Sequence, residues 1–99
     1  MEHMHMTPIE RTIIRGLLHR ALAAGYTVSV HDSYDGDGEW TVKRSRDTTA
    51  IMGALDTTGG DILLFRDANG ARVGTVTLIY NGDDTVIADA SGDAAALEV

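Results

Sequence analysis

Cysteine is absent from these 99 residues, which excludes disulfides, thiolate metal sites and a cysteine nucleophile. No apolar run approaches the roughly 20 residues that span a bilayer, and no signal-peptide core opens the chain. These two features set the expected location as the cytoplasm, with no membrane contact. Aromatic residues are few: Tyr26, Tyr34, Trp40, Phe65 and Tyr80. A core must therefore be built from Ile, Leu, Val and Ala. Basic residues are scarce in one half only. Residues 1–46 carry six acids and six bases, whereas residues 47–99 carry nine acids against Arg66 and Arg72 alone. The whole net charge of −7 thus belongs to the second half. Such a field repels nucleic acid and attracts a basic partner, and it also serves simply to keep a small protein dissolved.

What is present suits one domain. An apolar fraction of 43 % in 99 residues is enough to build a single core. Residues 1–6, with alternating Met and His, show no periodicity and are expected to be disordered or non-native, leaving residues 7–99 as the domain. Thr7-Pro8-Ile9-Glu10 is a helix start, with a capping threonine, proline at the first helical position and glutamate completing the capping box. Ile9, Ile13, Ile14, Leu17, Leu18, Ala21 and Leu22 recur at helical spacing, and Gly25 ends the segment. This predicts a helix over residues 8–24.

Tyr26 to His31 alternates apolar and polar residues as a half-buried strand, and residues 39–44 form its return. The loop between them, with Ser33, Asp35 and Asp37, superficially resembles a calcium loop. Arg44 then occupies the position that needs a bidentate glutamate, so no metal is expected there. Asp47 to Leu55 reads as a short helix weakened by Gly53. Residues 61–66, 72–80 and 85–89 are three β-rich runs separated by Asp67-Ala68-Asn69-Gly70 and Asn81-Gly82-Asp83-Asp84, the pattern of an antiparallel meander. In the long run, Gly74, Val76, Leu78 and Tyr80 form the better core face, with Gly74 allowing a close approach. The predicted order is α-β-β-α-β-β-β, an α+β fold with helices on an antiparallel sheet.

Ala24 to Val30, Lys43-Arg44-Ser45, Ile51 to Asp56, Arg66 to Gly70 and Tyr80 to Asp89 together resemble a group of uncharacterised small proteins carried by phages and prophages of proteobacteria. Ala90 stands where that group often has an aromatic residue. The resemblance implies a setting: accessory proteins of mobile elements that inhibit host defences by stoichiometric binding, of the anti-CRISPR kind.

Three function classes follow. The favoured one is a non-catalytic accessory protein that binds a host protein, such as a basic nucleic-acid-binding effector, through Asp61, Asp67, Asp83, Asp84 and Asp89. The alternative is a self-associating or assembly protein, a homodimer formed on a sheet face with Val73, Ile79, Leu63, Phe65 and Ile87. A small enzyme is least favoured. His31, Asp32, Asp35, Asp37, Asp83, Asp84 and Asp89 fall into no nucleophile-base order, metal motif or phosphate loop. No cofactor is expected. Direct nucleic-acid binding is disfavoured, because Lys43, Arg44 and Arg46 form the one basic cluster in an acidic chain.

Overall fold

A computed structural model describes residues 6–31, 40–55 and 60–98. Helix α1 runs from Pro8 to Ala23. Its first turn closes as the sequence predicts. The Glu10 amide donates to Thr7 Oγ1 at 3.2 Å, and the Thr7 amide donates to Glu10 Oε1 at 3.0 Å. At the other end Gly25 takes a φ of 88°. The Arg46 guanidinium donates to the carbonyls of Leu22 (3.0 Å) and Tyr26 (2.8 Å), tying the end of the helix and the segment after it to residue 46. Arg46 is thereby a structural residue rather than a free cation.

Strands β1 (Thr27–His31), β2 (Trp40–Ser45), β3 (Gly60–Arg66), β4 (Arg72–Ile79) and β5 (Ile87–Ala90) form one antiparallel sheet in the order β2-β1-β3-β4-β5. Helix α2 (Thr48–Gly53) connects β2 to β3, with Asp47 Oδ1 accepting from the Thr49 amide as its cap. A 3-10 helix, Gly92–Glu98, follows β5. The fold is α+β, in the predicted order. No helix among the described residues is long and apolar enough to cross a membrane.

The helices lie on one side of the sheet. Ile14, Leu17, Leu18 and Ala21 of α1 and Ile51 of α2 are buried with Val28, Val30, Leu63, Phe65, Val76 and Leu78. Each of the Ile, Leu, Val and Phe side chains contributes about 1.5–3 kcal/mol on leaving water. The predicted core face of β4 is the one used. Gly74 sits where the 3-10 helix crosses it: a Cβ there would lie 2.1 Å from the Ser91 carbonyl oxygen and 2.9 Å from Ala94 Cβ. Arg20 Nε donates to the Leu97 carbonyl and ties α1 to that last helix.

Several expectations are corrected. Met6, set aside with the terminus, is buried in the core. Leu63 and Phe65 do not share a face with Val73 and Ile79. Leu63 stands opposite Val76 and Phe65 opposite Gly74, beneath the helices, so neither is available to a dimer. The last strand begins at Ile87 instead of residue 85, because Asp83 Oδ1 holds the Thr85 amide (2.9 Å) and hydroxyl inside the turn. The calcium question concerns residues 32–39, which lie outside the described residues.

Candidate functional site

No described element packs on the other side of the sheet. Its identity follows from the register: β1 presents Thr27, Ser29 and His31, β3 presents Ile62, Leu64 and Arg66, and β4 presents Thr75 and Thr77, which stand opposite Leu64 and Ile62. β2 reaches this face only through irregular pairing. Val42 is opposite Val30 on the helix side, whereas Trp40, two residues away, is opposite His31 on the open side. A regular strand would turn residues 40 and 42 the same way. The extra residue at Thr41 flips Trp40 to the open face. A second irregularity lies between Val42 and Ser45, where Arg44 takes a φ of 50° and its amide donates to the buried Ser29 Oγ at 2.9 Å.

Trp40 is 42 % exposed, with its ring edge-on to His31 at a centroid distance of 5.1 Å. Shallow depressions flank the indole. One, of about 280 Å³, is lined by Ser29, Trp40, Lys43, Arg44, Leu64 and Arg66. The other, of about 290 Å³, is lined by His31, Trp40, Ile62, Arg72, Thr75 and Thr77. The strand order brings together four cations that are far apart in sequence. Lys43 and Arg44 come from the edge strand, and Arg66 and Arg72 from the paired ends of β3 and β4. Arg66 Nη1 donates to the Gly70 carbonyl at 2.9 Å, which fixes its guanidinium beside the β3–β4 turn. Arg66 and Arg72 are the only bases of the acidic second half, and both are on this face.

The predicted acidic residues are not brought together. Asp61 is fully buried and accepts from the Tyr80 hydroxyl at 2.6 Å, so it cannot meet an outside partner. Asp67 Oδ1 accepts from the amides of Asn69 (2.9 Å) and Ala71 (3.0 Å), organising the β3–β4 turn. Asp83 and Asp84 are exposed in the β4–β5 turn, at the opposite end of β4. The Thr85 hydroxyl and then its amide hold the Asp83 carboxyl below its ordinary value. Asp89 is exposed on β5 opposite Thr77. Glu10, which sequence reading assigned only to the capping box, also joins that end together: its Oε2 accepts from the Gly82 amide at 2.7 Å while the residue is buried.

Among the described residues, no three His, Asp or Glu side chains stand close enough to hold a metal. His19 is on the exposed side of α1, remote from the Trp40 face in sequence and layer. Comparison with known families, curated proteins and solved structures finds no match.

Proposed function

We propose that this is a non-catalytic binding protein whose working surface is the open face of the sheet and whose partner is anionic there. The observation that carries this reading is the collection of Lys43, Arg44, Arg66 and Arg72 around an exposed indole on the face left bare by both helices. The exposed Trp40 and the half-buried Ile62 supply apolar contact area, and the cations select the sign of the partner. The non-catalytic part rests on dispersal among the described residues: His19 on α1, His31 on β1, the adjacent Asp83 and Asp84 in the β4–β5 turn and Asp89 on β5 stand on four separate elements instead of converging on one cleft. The setting implied by the phage-protein resemblance, an accessory protein that blocks a host component in the anti-CRISPR manner, is part of this proposal.

Self-association through the same face is opposed by charge. A two-fold pair would set the four cations of one copy against those of the other. A second reading, binding of a basic host protein at the acidic turn, is favoured by one observation. Asp83 and Asp84 are exposed on a turn fixed by Thr85 and by the Glu10–Gly82 hydrogen bond.

The two readings separate with two double substitutions, Lys43→Gln with Arg72→Gln, and Asp83→Asn with Asp84→Asn. Each is first shown to melt like the parent and then used as bait beside it in host lysate. A partner lost by the first pair alone supports the open-face reading. Loss with the second pair alone overturns it in favour of the acidic turn, and retention by both baits contradicts both readings.

A further inference from the structure

Resting on the open-face reading, we infer that the anionic partner is a short stretch of single-stranded nucleic acid, laid across the sheet with a base against Trp40 and phosphates against Lys43, Arg44, Arg66 and Arg72. Single strands are bound by combining a cationic track with an aromatic ring on which an unpaired base stacks. Both parts are present and adjacent here, since the indole lines the same depressions as the cations. The cations come from β2, β3 and β4 of a β2-β1-β3-β4 array. With neighbouring strands about 4.8 Å apart, they span roughly 14 Å, a length on the scale of two or three nucleotides. Thr77 lines the space between, with a hydroxyl suited to sugar and base edges.

An acidic peptide would satisfy the cations equally well. It has no use for an exposed indole flanked on both sides by a depression, and a stacked base does. The arginines add planar guanidinium groups that suit both phosphate and base faces.

The net charge of −7 does not decide the matter, because position does. Exposed charges are largely screened beyond a Debye length of about 8 Å at physiological salt. Asp83 and Asp84 follow the far end of the eight-residue β4, about 25 Å from Arg72 at the usual rise of a strand. Among the described residues, the acids that face the site are Asp67, whose Oδ1 is taken up by the Asn69 and Ala71 amides, and Asp89 at the β5 edge; Asp32, Asp35 and Asp37, between His31 and Trp40 in the chain, lie outside the described residues. Glu39 precedes Trp40 in the chain but lies outside the described residues. Duplex nucleic acid is not the expected ligand, because its bases are stacked away from the indole.

Trp40 is the only tryptophan, so its fluorescence reports the site directly. The full chain is titrated with a single-stranded oligothymidylate, with the corresponding duplex, and with polyglutamate. Saturable quenching by the single strand is expected, with log affinity falling against log salt at a slope of about −2 for about three phosphates. Lys43→Gln with Arg72→Gln should weaken binding about tenfold and flatten that slope. Trp40→Leu, followed by the anisotropy of a labelled oligomer, should also cost about tenfold. Binding of polyglutamate without the oligomer overturns the nucleic-acid inference and leaves the open-face reading standing. Failure of every polyanion at low salt overturns both. Oligomer binding that ignores the Trp40, Lys43 and Arg72 substitutions places the ligand elsewhere and also overturns the inference.

Discussion

The two faces of one sheet differ here in what their residues are for. On the helix side Val30, Leu63 and Val76 are opposite one another across three strands and fully buried. On the other side, one residue along, His31, Ile62 and Thr77 are each only half-buried. The first face is closed by α1, α2 and the 3-10 helix and stabilises the fold. The second is closed by nothing described, yet it carries Trp40 and four of the eight basic residues of an acidic chain. The comparison teaches that the charge of a chain and the charge of its surfaces are separate quantities. Strand order, not composition, places Arg66 and Arg72 beside Lys43 and Arg44.

The comparison breaks most easily at the helix. Leu17→Asp puts an unpartnered carboxylate into the layer between α1 and the sheet, where Leu17 is fully buried. A loss of about 4 kcal/mol or more is expected in urea unfolding. A variant that melts like the parent would refute the covered face.

A sharper test uses two leucines adjacent on β3. Leu63 is fully buried under the helices, and Leu64 is 5 % exposed beside Lys43, Arg44 and Arg66. Leu63→Ala leaves a cavity that a packed core fills poorly and should cost about 3 kcal/mol. Leu64→Ala should cost about 1 kcal/mol, because long side chains and water can take up the space. Equal losses in denaturant melts would mean that the open face is a second core.

The smallest effect lies at the acidic turn. Asp83 has its folded pKa lowered from 3.8, chiefly by the Thr85 hydroxyl. A depressed carboxyl contributes stability above its ordinary value and loses it as pH falls through the folded value, so the window lies below about pH 4. Thr85→Val removes the larger cause, and the Asp83 carboxyl followed by NMR should then titrate closer to its ordinary value. An unchanged titration would show that the turn does not fix this carboxylate.

Much of the covered side was legible in the sequence. Thr7, Pro8 and Glu10 announce the helix start, the Ile/Leu spacing marks its buried stripe, and Gly74 marks a close approach. Those signals are local, and local rules read them. The open side depends on features with no local signature. The flip of Trp40 needs an extra residue at Thr41, and alternation along β2 would place it with Val42. The grouping of the four cations needs the order β2-β1-β3-β4, which no short pattern encodes. Asp61 shows the opposite failure. A carboxylate at a strand start reads as exposed, whereas the structure buries it and gives it a hydrogen bond from the Tyr80 hydroxyl.

The central claim is that the open face is locally cationic on a chain of net charge −7, and Trp40 is the one indole that can report it. Stern–Volmer quenching of Trp40 by iodide and by caesium, at matched low ionic strength, measures the sign of the field at the ring. The account predicts that the iodide-to-caesium quenching ratio at Trp40 exceeds that of free N-acetyltryptophanamide under the same conditions, against the sign of the whole molecule. A ratio equal to or below that of the free indole would contradict it.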